Sequence, residues 1–261
     1  MRALLVFLPL VLAACPSDDT ADDPAADTGS GSVSTGSDSS TGTQGPAAGS
    51  DSDSSSEGGS ASSTADSTGA AGLCANEFPA IVTDIDETLT TADGEFFMQL
   101  QDGNYDPLER DGGATLINTY ADLGYRVLYL TARSQTWVTE VTDETAREAT
   151  MRWLQEHGYP VDPETTELVL APMIVLGDAA RMYKGDAIMG FQAEGWRFDY
   201  AYGNADTDIG GYEDAGISKE TTFIIGEEAG NEGTVAIEGE GWLTHIDSHL
   251  PGVPEACGDD G

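Results

Sequence analysis

The chain predicts an α/β fold, a doubly wound parallel sheet with a minimal cap or none, and three observations carry that expectation. Short apolar, β-rich runs alternate with helix-length segments, the pattern of successive β-α-β units. Two of the helical segments stop at a glycine, as helices closed by a left-handed residue do. The residues with chemical character sit at or just beyond the ends of the apolar runs, where parallel sheets bind ligands.

Taken in order, strands are expected at residues 80–84, 126–131, 167–171, 198–203 and 221–226. They are rich in apolar residues, as strands covered on both faces require. Helices are expected at 114–123, ending at Gly124, at 145–157, ending at Gly158, and at 179–191 and 208–215. Residues 89–98, with Asp93-Gly94 as a turn, read as a small hairpin over the strand ends. No insertion long enough for a separate lid lies between Thr88 and the second strand. Val235, Ile237, Trp242 and Leu243 fit either a short hairpin or a packed loop.

Ahead of this domain lie two segments of different character. Met1-Arg2 is a short basic start and residues 3–12 are apolar, too short a run to span a bilayer and suited to a signal-peptide core. Leu12-Ala13-Ala14-Cys15 resembles the bacterial lipobox, which makes residues 1–15 a lipoprotein signal peptide. That resemblance implies an exported bacterial lipoprotein, anchored to the outer membrane or cell surface through acyl chains on Cys15. Residues 16–72 are Ser, Gly, Asp, Thr and Ala with little else, and are expected to form a disordered tether. Their ten acids and lack of Lys or Arg favour an extended chain. The folded domain is expected over 73–261. Cys74 and Cys257 flank it, and in an exported protein they either form a disulfide tying the termini or remain two free thiols.

Charge narrows the partners. The chain has 47 acids against 10 Lys and Arg, a net charge of −37. Setting aside the tether acids and Arg2 leaves 37 acids against nine cations over 73–261. Such a field excludes nucleic acid and opposes any anionic substrate that is not met by local cations.

The run Ile81-Val82-Thr83-Asp84-Ile85-Asp86-Glu87-Thr88 delivers two carboxylates from an apolar strand. Two anions side by side repel unless a cation joins them, and the hard, oxygen-seeking ion that also accepts phosphate oxygens is Mg²⁺. Thr131 and Arg133 follow the second strand, where a hydroxyl and N–H groups at a helix start would hold phosphate. Lys184 is one of nine cations in the domain. Gly203-Asn204-Ala205-Asp206-Thr207-Asp208 closes a later strand with an acidic loop.

In that order the four pieces resemble the haloacid dehalogenase superfamily of phosphatases, with a Rossmann-like sheet. Tyr129-Leu130-Thr131-Ala132-Arg133, Trp153-Leu154-Gln155-Glu156-His157-Gly158 and Gly203-Asn204 with Asp208 resemble more narrowly the catalytic domain of lipins, the phosphatidate phosphatases, and the related domain of phosphatidylinositol-transfer proteins. The resemblance implies that Asp84 is the nucleophile and becomes an aspartyl phosphate. It implies that Asp86 is acid and then base, that Thr88, Thr131, Arg133 and Lys184 bind the phosphoryl group or its ester, and that Mg²⁺ is held by Asp84, Asp86 through its carbonyl, and Asp208. Asp206 is an alternative ligand to Asp208, and Arg133 is either a headgroup contact or half of a salt bridge.

The departures bear on substrate. Lipins place Gly where Glu87 stands, and some bacterial acid phosphatases read D-x-D-E-T instead. The expected activity is therefore Mg²⁺-dependent phosphomonoester hydrolysis, on phosphatidate or another lipid phosphate. The alternatives are an acid-phosphatase-like hydrolase of soluble esters and a non-catalytic phosphatidate-binding module. His245 and His249 flank Asp247 at metal-ligand spacing, but Pro251 and the lack of helical flanks favour a solvated tail. Asp102, Asn104 and Asp106 read as a loop, since Pro107 stands where a calcium loop needs Gly.

Overall fold

A computed structural model describes residues 77–256. Cys15, Cys74, Cys257, the signal peptide and the tether, with the expectations that rest on them, lie outside the described residues. The core is a six-stranded sheet made of β1 (Phe78–Thr83), β2 (Arg126–Ser134), β3 (Thr166–Ala171), β4 (Trp196–Gly203), β5 (Thr222–Ile225) and β6 (Val235–Ile237). Every pairing is parallel and the order is β3-β2-β1-β4-β5-β6. The direction of winding reverses between β1 and β4, which leaves a crevice at their carboxyl ends.

Helices α1 (Gly94–Gln101), α2 (Gly113–Asp122), α3 (Ala146–Glu156), α4 (Asp178–Ala193), α5 (Asp206–Asp214) and α6 (Leu243–His249) complete the domain. Alternation along the strands divides the core in two. Ile81, Tyr129, Tyr202 and Phe223 pack with Leu116, Tyr120 and Trp153 on one face. Ala80, Val82, Leu128 and Leu130 pack with Ile188 and Tyr212 on the other. The expected α/β architecture is thus observed, covered on both sides. α3 starts one residue after the expected 145, because Thr145 is its cap: Thr145 Oγ1 accepts from the Glu148 N–H at 3.2 Å and Glu148 accepts from the Thr145 N–H at 2.8 Å.

Two local expectations are corrected. The segment expected as a hairpin is a short lead-in followed by helix α1, with a single antiparallel bridge between Thr90 and Glu109. Glu95, Phe96 and Gln99 share one buried helical face, so burial favours a period near 3.6 over alternation. The C-terminal stretch, left open between hairpin and loop, supplies the parallel edge strand β6 and then α6. Trp242 is fully buried there, and its Nε1 donates to the Thr88 carbonyl at 3.0 Å, so the tail buttresses the turn after β1. Among the described residues no helix is long and apolar enough to cross a membrane.

His245 and His249 belong to α6 and not to a solvated tail. The Tyr202 hydroxyl lies 3.1 Å from His245 Nε2 and 2.7 Å from the Tyr120 hydroxyl, which in turn lies 3.3 Å from His249 Nε2. The tyrosines and helical packing use these rings as core. Burial, with His249 adding, pushes His245 down to about 4. A depressed histidine contributes stability above its unfolded value near 6.5 that is lost as pH falls toward 4, about 3 kcal/mol in all. His245→Phe is therefore expected to flatten the fall of the unfolding midpoint between pH 6.5 and 4. Identical slopes for variant and wild type would refute this.

Candidate active site

β1 carries Asp84 to the crevice, and the Asp84 N–H donates to the Tyr202 carbonyl of β4 at 3.0 Å. The chain then winds tightly. The Ile85 carbonyl accepts from the N–H groups of Thr88, Leu89 and Thr90. Glu87 takes a left-handed conformation with φ 54°, a backbone that costs an L residue roughly 1–2 kcal/mol and that glycine adopts freely. This is the position at which the lipin pattern has glycine. Here Asn204 Nδ2 donates to Glu87 Oε2 at 3.2 Å and Arg110 Nη2 donates to the Glu87 carbonyl at 2.7 Å, holding the turn.

The centre of the site is a buried row of alternating charge. Lys184, from α4, lies 3.3 Å from Asp84 Oδ2 and 2.5 Å from Asp208 Oδ1. Lys184 is 2% exposed, Asp84 5% and Asp208 fully buried. Asp208 sits in the first turn of α5, where its Oδ2 accepts from the backbone N–H groups of Asn204 and Ala205, each at 3.1 Å. Close backbone approach makes this possible. A Cβ on Gly203 would meet the Asp208 side chain at 2.6 Å, and one on Gly211 would meet Lys184 Cβ at 2.9 Å.

Two carboxylates thus share one ammonium. Burial pulls the Lys184 ammonium down, but Asp208 and Asp84 outweigh it and the net shift is upward. Burial pushes Asp84 up to about 8; Lys184 opposes this, while Asp208 and Asp86 add to it. Asp84 Oδ1 is buried without a hydrogen-bond partner. An orphaned carboxylate oxygen in an electron-rich pocket fits a divalent cation. Among the described residues no three His, Cys, Asp or Glu side chains form a ready metal cluster, so a cation here needs main-chain oxygen as well.

Asp86 is held on the other side of the crevice. Arg133, at the end of β2, donates from Nε to Oδ2 at 2.9 Å and from Nη2 to Oδ1 at 2.8 Å, and Thr131 Oγ1 donates to Oδ2 at 3.0 Å. Arg133 Nη1 donates to Thr150 Oγ1 of α3 at 2.7 Å, and the guanidinium lies 4.1 Å from the centre of the Phe96 ring. β2 runs on to Ser134 and the next helix begins only at Ala146, so the helix start expected beside Thr131 is not there. Thr88 is fully buried and donates to Asn204 Oδ1 at 3.0 Å.

Above these groups is a cavity of about 310 Å³ lined by Asp84, Asp86, Arg133 and Lys184 among the sequence-selected residues. Thr88, Thr131 and Asp208 lie beneath it and are absent from its wall. Asp206 faces a neighbouring acidic hollow with Glu87, Glu227 and Glu228. Sequence reasoning missed the apolar wall, formed by Phe96 and Phe97 of α1, Trp137, and Ile174, Val175 and Leu176 before α4. The signal was present as large apolar residues on α1 and in the loop before α4. Ile174 is 58% exposed and Leu176 79%, and Phe97, 53% exposed, packs its ring beside those of Phe96 and Trp137 at the mouth. A larger hollow of about 590 Å³ surrounds Arg197 and Tyr200 towards the amino end of β4. Its arginine is spent on Asp199 and Glu77.

The family described as PITM 1-3, LNS2 domain, matches residues 81–226. A comparison with curated proteins gave no match. Among solved structures, the chain is similar to phosphoserine phosphatase in its apo form at 14% identity and a TM-score of 0.43, covering 66% of this chain and 98% of that one. It is similar to a chain of the Pnkp1/Rnl/Hen1 RNA repair complex at 16% identity and a TM-score of 0.39, covering 53% of this chain and 40% of that one. It is also similar to the cobalt-bound deoxy-D-mannose-octulosonate 8-phosphate phosphatase of Haemophilus influenzae, at 15% identity and a TM-score of 0.33, over 59% of this chain and 72% of that one. The chain spans about two fifths of the length of the RNA repair chains.

Proposed function

The chain belongs to the LNS2 domain family, and on that footing we propose that it is a phosphatase, a Mg²⁺-dependent phosphomonoester hydrolase acting on a lipid phosphate such as phosphatidate. The observation that carries the reading is Asp84, buried under the cavity with one oxygen unpartnered and the other beside Lys184. In the proposed reaction an Asp84 oxygen bonds to phosphorus, the ester P–O bond breaks, and the leaving oxygen takes a proton from Asp86. Water then attacks phosphorus, gives its proton to Asp86, and frees Asp84 and inorganic phosphate. Lys184 holds Asp84 in place and offsets phosphoryl charge, while the buried row keeps water from competing. Asp84, the Asp86 carbonyl and Asp208 would hold Mg²⁺, which supplies charge neutralisation for a dianionic group in an acidic pocket.

The apolar mouth supports the lipid substrate. Phe97, Trp137, Ile174 and Leu176 offer cover for acyl chains while the phosphate reaches the polar floor. A lipid anchor on Cys15, at the outer membrane or cell surface, would hold the domain near such a substrate. The test is phosphate release by the full chain, with Mg²⁺ or with chelator, from phosphatidate vesicles and from glucose 6-phosphate and nucleotide monophosphates. Mg²⁺-dependent release from phosphatidate is expected. Release from soluble esters alone would replace the reading with an acid-phosphatase-like hydrolase, and vesicle binding without release would replace it with a binding module.

A further inference from the structure

We propose that Arg133 is a positioning residue for Asp86 and acts on the reaction through that carboxylate and not by gripping the phosphoryl group; this rests on the phosphatase reading above. An arginine lining a phosphate pocket would ordinarily be assigned to the phosphate, because its planar edge matches phosphate oxygens as well as carboxylate. Here that edge is already used. Nε and Nη2 meet both oxygens of Asp86 in a bidentate pair, Nη1 is tied to Thr150, and the Phe96 ring covers the guanidinium face at 4.1 Å. Arg133 is only 3% exposed, so it has no room to turn its edge toward the cavity without abandoning three elements at once.

The clamp fixes where Asp86 sits. Thr131 Oγ1 donates to the same carboxylate oxygen that Arg133 Nε meets, and Thr131 Oγ1 also accepts from the Arg133 N–H at 3.1 Å. The result is a carboxylate held on the β2 side of the crevice, apart from the Asp84–Lys184–Asp208 row. One acid is thereby kept for bonding to phosphorus and the other for moving protons. Because Arg133 also touches Phe96 of α1 and Thr150 of α3, it ties the position of the proton-transfer group to the helix that forms the apolar wall.

The test uses two kinds of ester. An alkyl phosphate leaves as a strongly basic alkoxide and needs a proton from Asp86, whereas p-nitrophenyl phosphate leaves as a stabilised anion and needs little help. The full-length Arg133→Gln protein, with Mg²⁺, is expected to lose roughly 100-fold in kcat on detergent-dispersed phosphatidate or glycerol 3-phosphate but under about 10-fold on p-nitrophenyl phosphate, with KM little changed. In an Asp86→Asn background the same substitution is expected to cost nothing further on the alkyl ester. Arg133→Lys, which keeps the charge and loses the fork, should fall between.

Equal losses on both esters, with raised KM and weaker inhibition by inorganic phosphate, would mean that Arg133 grips the phosphoryl group and would overturn the proposal. So would unchanged kinetics, or full additivity with Asp86→Asn. If wild type releases phosphate from neither ester, the phosphatase reading fails and this role falls with it. A denaturation cycle over Arg133→Gln and Asp86→Asn then still reports the pair itself, with a coupling of about fivefold or more in the unfolding constant if the clamp forms.

Discussion

Asp84→Asn is expected to lower phosphate release by about 10³-fold or more while leaving the thermal unfolding midpoint unchanged or raised at neutral pH. The two effects have one cause. Asp84 is buried, and one of its oxygens finds no partner. Burial, countered by Lys184 and assisted by Asp208 and Asp86, pushes its carboxyl up to about 8. Asparagine keeps the shape, removes the charge that burial penalises and cannot form an acyl phosphate. The pH dependence follows from linkage. A carboxyl raised above its unfolded value near 4 contributes stability that is present below that pH and is lost as pH climbs through about 8. The metal-free wild type should therefore lose stability relative to Asp84→Asn across that interval, and saturating Mg²⁺ should narrow the gap. A variant that keeps wild-type phosphate release would dismiss Asp84 as the nucleophile, and one that melts lower at pH 8 would dismiss the account of the buried charge.

Lys184→Met should destabilise the metal-free domain by about 3–5 kcal/mol, the cost of leaving a buried ionic partner uncompensated. For a domain of this size that is a fall of roughly 10 °C in the unfolding midpoint. Methionine fills the space of the lysine stem, so the effect reports charge more than a cavity. The ammonium lies 3.3 Å from Asp84 and 2.5 Å from Asp208, and both acids are almost wholly buried. Adding Mg²⁺ should recover more stability in the variant than in wild type, because the ion takes over part of the missing positive charge. Thermal melts of both proteins with Mg²⁺ and with chelator measure this. A midpoint within about 2 °C of wild type without metal would show that Lys184 is a packing residue whose charge contributes little.

The parts that could be read without coordinates were those set by local pattern. Apolar runs at 126–131 and 198–203 marked strands, and Gly124 and Gly158 marked where α2 and α3 stop, whereas the reciprocal cap of Thr145 and Glu148 at the start of α3 emerged only in the structure. Both glycines have positive φ, which is why a side chain was excluded there. Residues 89–98 could not be read this way, because Asp93-Gly94 suits a hairpin turn as well as a helix start. Only burial of Glu95, Phe96 and Gln99 against the domain resolves it in favour of α1. The tail was opaque for a related reason. β6 pairs with β5 in parallel, and α6 is held by a tyrosine network contributed by α2 and β4, far away in the chain.

The sequence by itself determined the fold class, the acids and cations proposed to carry the chemistry, and the strand ends at which they appear, because strand and helix periods and side-chain chemistry are local properties. Tertiary structure alone decided which of those groups meet. It put Lys184 between Asp84 and Asp208, drew Arg133 onto Asp86, set Thr88 and Thr131 beneath the cavity, and surrounded the mouth with Phe97, Trp137 and Leu176. The physical reason is that pairing of charges and exclusion of water depend on distances across β1, β2 and β4 and the helices packed on them, and spacing along the chain does not fix those distances.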